Sequence, residues 1–307
     1  MLKKALVSLK EKNGVHHDEN QYLYLIQDIL NHGFMENGRN GNALTVFGSA
    51  MHFSLENNTL PLLTTKRVAW KTCLKELLWF IAGKTDNNLL NKANVHIWDD
   101  NASREFLDSR NLQHLDVNDL GPVYGHQWRH FNMPYTNSRQ SYINTNNNMD
   151  QLQYIINNLK DPATRNSRRL VMSAWNPCQL DEMALPPCHI LAQFNVIDNK
   201  YLSCSMYQRS GDVGLGVPFN IASYSILTHL IAHHCGLIAT DFVYNLGNCH
   251  IYDDHIDKLR IQESRVPHVF PKIKILNHYN NIEQYGVDDF VLENYNFHEA
   301  IKMEMRK

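Results

Sequence analysis

The stretch Ala184-Leu185-Pro186-Pro187-Cys188-His189, running on into Gln193-Phe194-Asn195-Val196, decides how this chain is read. Two consecutive prolines fix φ and remove two backbone donors, so the approach to Cys188 is stiff and cannot be helix interior. Beyond it, residues 190–197 and 201–207 are apolar runs separated by Asp198-Asn199-Lys200, which predicts a β-hairpin. A thiol on a rigid approach at a strand edge is held in place, as a nucleophile must be. A buried structural cysteine is the other reading that the local sequence leaves open.

Composition narrows the classes. The chain has 307 residues, is 43% hydrophobic and 20% charged, and carries a net charge of -2, so it should fold around a sizeable core. A near-neutral balance gives no case for whole-protein nucleic-acid binding, although local basic clusters could take a small anion. No run approaches the ~20 apolar residues of a membrane helix. The apolar start of residues 1–7 is cut short by Ser8-Leu9-Lys10-Glu11-Lys12, so no signal peptide is expected. The six cysteines (73, 178, 188, 204, 235 and 249) show neither CxxC nor metal spacing. Scattered cysteines of this kind point to free thiols, a reducing compartment and a cytoplasmic location. His250 and Asp254 have the i,i+4 spacing of a helix, but without a third convergent ligand no metal is expected.

Along the chain, residues 1–20 read as a flexible N-terminal arm and 21–307 as a single domain with a mobile C-terminal tail. Apolar positions at Leu23, Ile26, Ile29 and Leu30 predict a helix ended by Gly33. Residues 36–42 are turn chemistry around a lone arginine, Arg39, and 44–48 and 51–55 read as strands. Residues 70–82 predict a largely buried helix containing Glu76. That carboxyl is either on an exposed or paired stripe, or buried with a raised pKa fit for proton transfer. Ser103 can cap a helix through Leu107, residues 119–125 form a turn carrying Tyr124, and 132–149 are a polar surface loop. An amphipathic helix follows at 150–159. Arg165, Arg168 and Arg169 then crowd in front of a strand at 170–175, as solvated surface or as a phosphate site. The strand 201–207 hands over to a polar loop at Gln208-Arg209-Ser210-Gly211-Asp212. A long apolar helix covers 221–233, with strands at 242–246 and 272–276.

Five of these stretches resemble thymidylate synthase: Leu62-Leu63-Thr64-Thr65-Lys66-Arg67, Glu76-Leu77-Leu78-Trp79-Phe80, Ala184-Leu185-Pro186-Pro187-Cys188-His189, Tyr207-Gln208-Arg209-Ser210 and Pro218-Phe219-Asn220-Ile221-Ala222-Ser223-Tyr224. They come in order from about Tyr22 to the last few residues, with no dihydrofolate reductase segment, as in the monofunctional form. The resemblance implies an α+β fold with a large mixed β-sheet and surrounding helices, two subunits packing sheet against sheet as a homodimer. It implies the methylation of dUMP to dTMP, with methylenetetrahydrofolate as carbon and hydride donor, no metal, no membrane and no required nucleic acid.

It also assigns residues. Cys188 is implied as the nucleophile and Arg209 as the arginine serving both thiol and phosphate. Arg39 and Ser210 would hold phosphate from the same subunit, and Arg168 and Arg169 would reach the partner's phosphate. Asn220 would read the uracil, Gln208 and Asp212 would be further dUMP contacts, and His250 and Tyr252 would bind the sugar hydroxyl. Glu76 would be the general acid–base, with Tyr124 and His189 as polar partners around the ring. Ile97, Trp98, Asn101, Asp212, Leu215, Gly216, Phe219 and Met305 correspond to folate contacts. Two positions depart from the family pattern: Asn248 stands where Asp is usual, and the tail ends in Arg306-Lys307 instead of small apolar residues. Those cations would hinder closure of the tail or find acidic partners such as Asp253 or Asp254.

Overall fold

In the computed structural model, which describes residues 8–38, 40–142 and 149–306, the hairpin after Cys188 becomes part of a six-stranded sheet. Among the described residues the strands are β1 (Glu11–Lys12), β2 (Val15–His16), β3 (Phe34–Gly38), β4 (Gly41–Ser54), β5 (Val171–Ser173), β6 (His189–Ile197), β7 (Tyr201–Asp212), β8 (Ile238–Tyr252), β9 (Lys272–Ile275) and β10 (Phe290–Glu293). The helices are α1 (Asn20–His32), α2 (Trp70–Ile81), α3 (Asn87–Lys92), α4 (Arg104–Ser109), α5 (Tyr124–His130), α6 (Gln151–Lys160), α7 (Gly216–His234) and α8 (Ile256–Glu263). The large sheet runs β3-β4-β8-β7-β6-β5 and is mixed: β7 and β8 are parallel, the other neighbours antiparallel. A parallel pair needs a crossover, and α7 supplies it.

Helix α7 is buried on nearly every side, as its all-round apolar sequence demands. It lies on the sheet face that carries Leu202, Cys204 and Met206 of β7 and Phe242, Tyr244 and Leu246 of β8, all buried. One contiguous core joins residues from Tyr22 to Phe290. The opposite sheet face is open in the single chain: Leu191 pairs with Tyr207 across β6 and β7, and both are exposed, as is Ile197. Among the described residues no helix is long and apolar enough to cross a membrane.

Several local expectations change. The two strands expected at 44–48 and 51–55 are one, kinked at Gly48, whose φ of 89° suits glycine. Strands β7 and β8 both run past their apolar stretches, because Ser210 pairs with Asn248 and Asp212 with His250. Polar residues stay in a strand when a neighbour is there to pair with, and composition cannot show that neighbour. Gly247 is what lets the two ladders meet here, since a Cβ would lie 2.7 Å from the Arg209 carbonyl oxygen. His250 therefore sits on a strand and Asp254 in the 3₁₀ turn Asp253–His255, so they do not share a helical face. Tyr124 opens α5 and is not in a turn. The following Gly125 is required for packing, because a Cβ there would come 2.6 Å from the Lys84 carbonyl oxygen. Ser103 caps α4 as expected, accepting from the Phe106 N–H. Helix α7 starts earlier than expected and takes Pro218 into its first turn, where the missing N–H costs nothing.

Candidate active site

The rigid Pro-Pro approach delivers Cys188 to the start of β6, half-buried and outside any disulfide. Its backbone N–H donates to the Tyr124 hydroxyl at 2.7 Å, which ties the cysteine to α5. Arg209, opposite on β7, accounts for the prolines as well. Its Nε and Nη2 donate to the carbonyls of Pro187 and Pro186 at 2.8 and 2.9 Å, groups that no strand partner among the described residues claims. The same Nη2 lies 3.9 Å from the Cys188 Sγ, and the guanidinium sits over Trp175, 5.7 Å from the ring centroid. A cation locked by two carbonyls and an aromatic face stands beside the sulfur, and a thiolate is the form it favours.

The neighbouring groups form a buried polar wall. His189 stacks on Tyr124 with centroids 4.0 Å apart, and its Nδ1 lies 2.8 Å from the Tyr224 hydroxyl. Burial pushes the His189 pKa down to about 3, so the ring is neutral at any working pH. Burial likewise holds the Tyr124 phenol protonated, far above its usual value. The edge of Trp98 meets Tyr124, and the Trp98 Nε1–H donates to Glu76 Oε1 at 2.7 Å. Glu76 is 7% exposed on the buried side of α2. Burial lifts its pKa to about 7, against which the Trp98 hydrogen bond acts only in part. Of the two readings of Glu76, the buried carboxyl poised near neutrality is the one that holds.

The parallel pair β7–β8 builds the opposite side. Gln208 is buried, donating to the Ser210 carbonyl at 2.9 Å and accepting from the Tyr244 hydroxyl at 2.7 Å. Asp212 accepts from the Gly214 N–H at 2.8 Å and so shapes the turn into α7. Asn220, in the first turns of α7, is half-buried, and among the described residues its amide has no hydrogen-bond partner. Its Oδ1 points toward Gly216, near Asp212. An amide left open next to a closed network is suited to reading a ligand edge. His250 Nδ1 lies 2.9 Å from the Asn248 Oδ1, so the departure at Asn248 keeps the hydrogen bond. With Nδ1 as the donor, Nε2 is an acceptor; burial lowers the His250 pKa, opposed by the Asp212 charge. The Tyr252 ring packs edge-on against His250, 5.1 Å away.

Ile97 and Phe219 are half-buried against the core and Leu215 is half-buried, with Trp98 buried and Asn101 and Gly216 partly exposed. Arg168 and Arg169 are exposed, just ahead of the edge strand β5. Arg39 lies outside the described residues, as do Lys307 and residues 143–148 of the polar loop. Met305 is 50% exposed on the tail.

A family model described as thymidylate synthase matches residues 20–307. The chain belongs to the thymidylate synthase family. The thymidylate synthase of Homo sapiens is 51% identical over 290 residues, covering 94% of this chain and 91% of its own length. That of Equine herpesvirus 2 is 49% identical over 292 residues, covering 95% of this chain and 99% of its own length. The bifunctional dihydrofolate reductase-thymidylate synthase of Plasmodium berghei is 51% identical over 299 residues, which is 97% of this chain but 49% of that protein. The chain thus spans about half the length of the bifunctional relative.

Within this thymidylate synthase fold, several supporting groups have no clear mark in the sequence. Glu19 is fully buried and accepts from the backbone N–H and hydroxyl of both Thr64 and Thr65, at 2.6 to 3.0 Å. It anchors the segment from which Lys66 donates to the Gly214 carbonyl. Burial lifts the Glu19 pKa while the four threonine donors pull it back. Trp175 under Arg209 and Tyr244 on Gln208 are equally unmarked. Tyr224 alone carries a readable signal, since it lies four residues after Asn220, on the same helical face.

Proposed function

We propose that this chain catalyses the reductive methylation of dUMP to dTMP, and that 21–307 act as one domain in doing so. The observation that carries the reading is the Cys188 thiol held against the Arg209 guanidinium in a chain of this family. In the first step the Cys188 thiolate adds to the uracil carbon beside the one to be methylated. A C–S bond forms, and the ring double bond's electron pair moves out to the carbonyl as an enolate, making the neighbouring carbon nucleophilic. Asn220 orients the base, its Oδ1 accepting from the ring N–H and its amino group donating to the carbonyl. His250 Nε2 accepts from the sugar hydroxyl with Tyr252 beside it. Arg39, Arg209 and Ser210 hold the phosphate, for which guanidinium forks are well shaped. Tyr124 and His189, both neutral, order the polar wall. Glu76 holds or releases a proton as the reaction requires. Methylenetetrahydrofolate supplies the one-carbon unit and the hydride. The half-buried apolar surface of Ile97, Leu215 and Phe219, edged by Trp98, Asn101, Asp212, Gly216 and the tail residue Met305, suits a flat ring with a polar edge.

A spectrophotometric assay for dihydrofolate tests the reaction. Equimolar dihydrofolate and dTMP are expected; hydroxymethyl product without dihydrofolate would overturn the assignment in favour of a transferase that ends with water. Fluorodeoxyuridylate with the folate should also trap a covalent adduct on the Cys188 peptide, read by mass spectrometry.

We further infer a homodimer in a reducing, cytoplasmic setting, in keeping with six cysteines that form no disulfide. The open sheet face with Leu191, Ile197 and Tyr207 supports sheet-against-sheet packing, since a single chain would leave it wet. Arg168 and Arg169 are exposed just ahead of the edge strand, which fits service to the partner's phosphate. Mixing Arg168→Ala subunits with Cys188→Ala subunits should then restore activity, up to about a quarter of wild type if subunits exchange at random and each hybrid keeps one intact site. No restoration with exchange confirmed would rule out a shared site.

A further inference from the structure

The last residues of the chain are fastened by contacts that the reaction does not explain. The His298 N–H donates to the Thr64 carbonyl and Arg265 to the Glu299 carbonyl, each at 2.8 Å. His255 Nε2 bonds the Glu304 carbonyl at 2.8 Å, and the Met303 sulfur lies 3.3 Å from where a Cβ on Gly214 would be. The tail thus lies against the 212–216 turn that opens α7. Arg306 then closes on Asp253 at 2.7 Å and on Asp254 at 2.9 Å, with Nε a further 3.2 Å from the same Asp254 oxygen. Its guanidinium sits 5.7 Å from the Tyr252 ring centroid, and its Nη1 lies 3.1 Å from a Cβ position on Gly41. One side chain therefore touches the tail's acidic dock, the sugar-side tyrosine and the start of β4 at Gly41. Asp253 also accepts from the Asp254 N–H at 2.9 Å and Asp254 lies 3.9 Å from His255 Nε2, so Arg306 joins an acidic dock that the chain has already ordered.

We propose that Arg306 is a positioning residue: it latches the tail onto Asp253 and Asp254 and, by packing on Tyr252, couples the tail to the nucleotide site. The kinetic half of this rests on the proposed dUMP chemistry; the latch itself does not. The three side chains are 33 to 39% exposed, so salt should weaken the latch.

The test uses the full chain and two readouts. Trypsin cleavage after Lys302, which is exposed on the tail, normalised to a free peptide of the same sequence, reads the latch without any turnover. Protection should fall about threefold on going from ~0.02 M to ~1 M salt. Arg306→Leu, and separately Asp253→Asn with Asp254→Asn, should give the same loss at low salt and should remove the salt dependence. Arg306→Leu placed in the double Asn background should add nothing further. Arg306→Lys should recover part of the protection. In steady state, Arg306→Leu should raise KM for the folate and for dUMP about threefold with kcat within about twofold. Unchanged protection in Arg306→Leu, or a salt dependence equal to wild type, overturns the latch. Lost protection with both KM values unmoved overturns the positioning role. If the chain forms no dTMP at all, the reading of its function fails, and the cleavage result still decides the latch.

Discussion

Cys188→Ser is expected to cut dTMP formation by roughly 10⁴-fold or more, because the nucleophile is lost and the residual rate comes from binding alone. Serine nearly matches cysteine in shape but is a far weaker nucleophile near neutrality, since its hydroxyl stays protonated where a thiol beside a cation ionises. The position is half-buried at the mouth of β6; the Cys188 N–H is held by the Tyr124 hydroxyl, and Arg209 holds the two preceding proline carbonyls, none of which serine would disturb. The fold should therefore survive, with stability changed by less than about 1 kcal/mol. Arg209, Asn220 and His250 are untouched, so dUMP should still bind, as calorimetry would show. Turnover within tenfold of wild type, with the serine verified by mass spectrometry, would sink the nucleophile assignment.

Cys188 stands out in the bare sequence because the local rules around it are strong. Pro186 and Pro187 leave the backbone little choice, and the 190–207 hairpin follows from its own turn residues. The amphipathic helices, the buried α2 and the cap at Ser103 are legible for the same reason, that period and capping are short-range. Harder to see is anything set by a distant neighbour. Gln208 to Asp212 look like loop, yet they are strand because β8 lies alongside. Glu19 reads as one more polar residue of an N-terminal arm. Its burial depends on Thr64 and Thr65 folding over it, 45 residues away in sequence. The wall around Cys188 draws Tyr124 from α5, Trp98 from the segment after α3 and Tyr224 from α7. No local pattern joins such positions, and for Tyr124 and Trp98 only the resemblance to a known family does. The tail is the opposite case: its two cations, unlike the family pattern, leave hindered closure or acidic partners open, and Arg306 meets Asp253 and Asp254.

Glu76→Gln separates a proton-handling role from a packing role, and it is expected to lower kcat by about 10²- to 10⁴-fold, the usual range for loss of a positioned acid–base group. Glutamine keeps the size and can still accept from Trp98 Nε1–H, so the wall should stay in place. Its effect on stability has the opposite sign. Burial holds the Glu76 pKa at about 7 against an ordinary 4.5, so the folded protein binds the proton more tightly than the unfolded chain. The stabilisation from that proton is complete below pH 4.5 and lost as pH rises to about 7, an upper bound of about 3 kcal/mol in all. Glutamine cannot ionise, so relative to wild type the variant should gain stability across that window and keep the gain above it. Thermal unfolding from pH 4.5 to 8 checks this. Parallel curves for the two proteins would mean that Glu76 titrates as an ordinary surface carboxylate. The kcat/KM profile gives the second check, since the limb near pH 7 should vanish from the variant along with most of the rate.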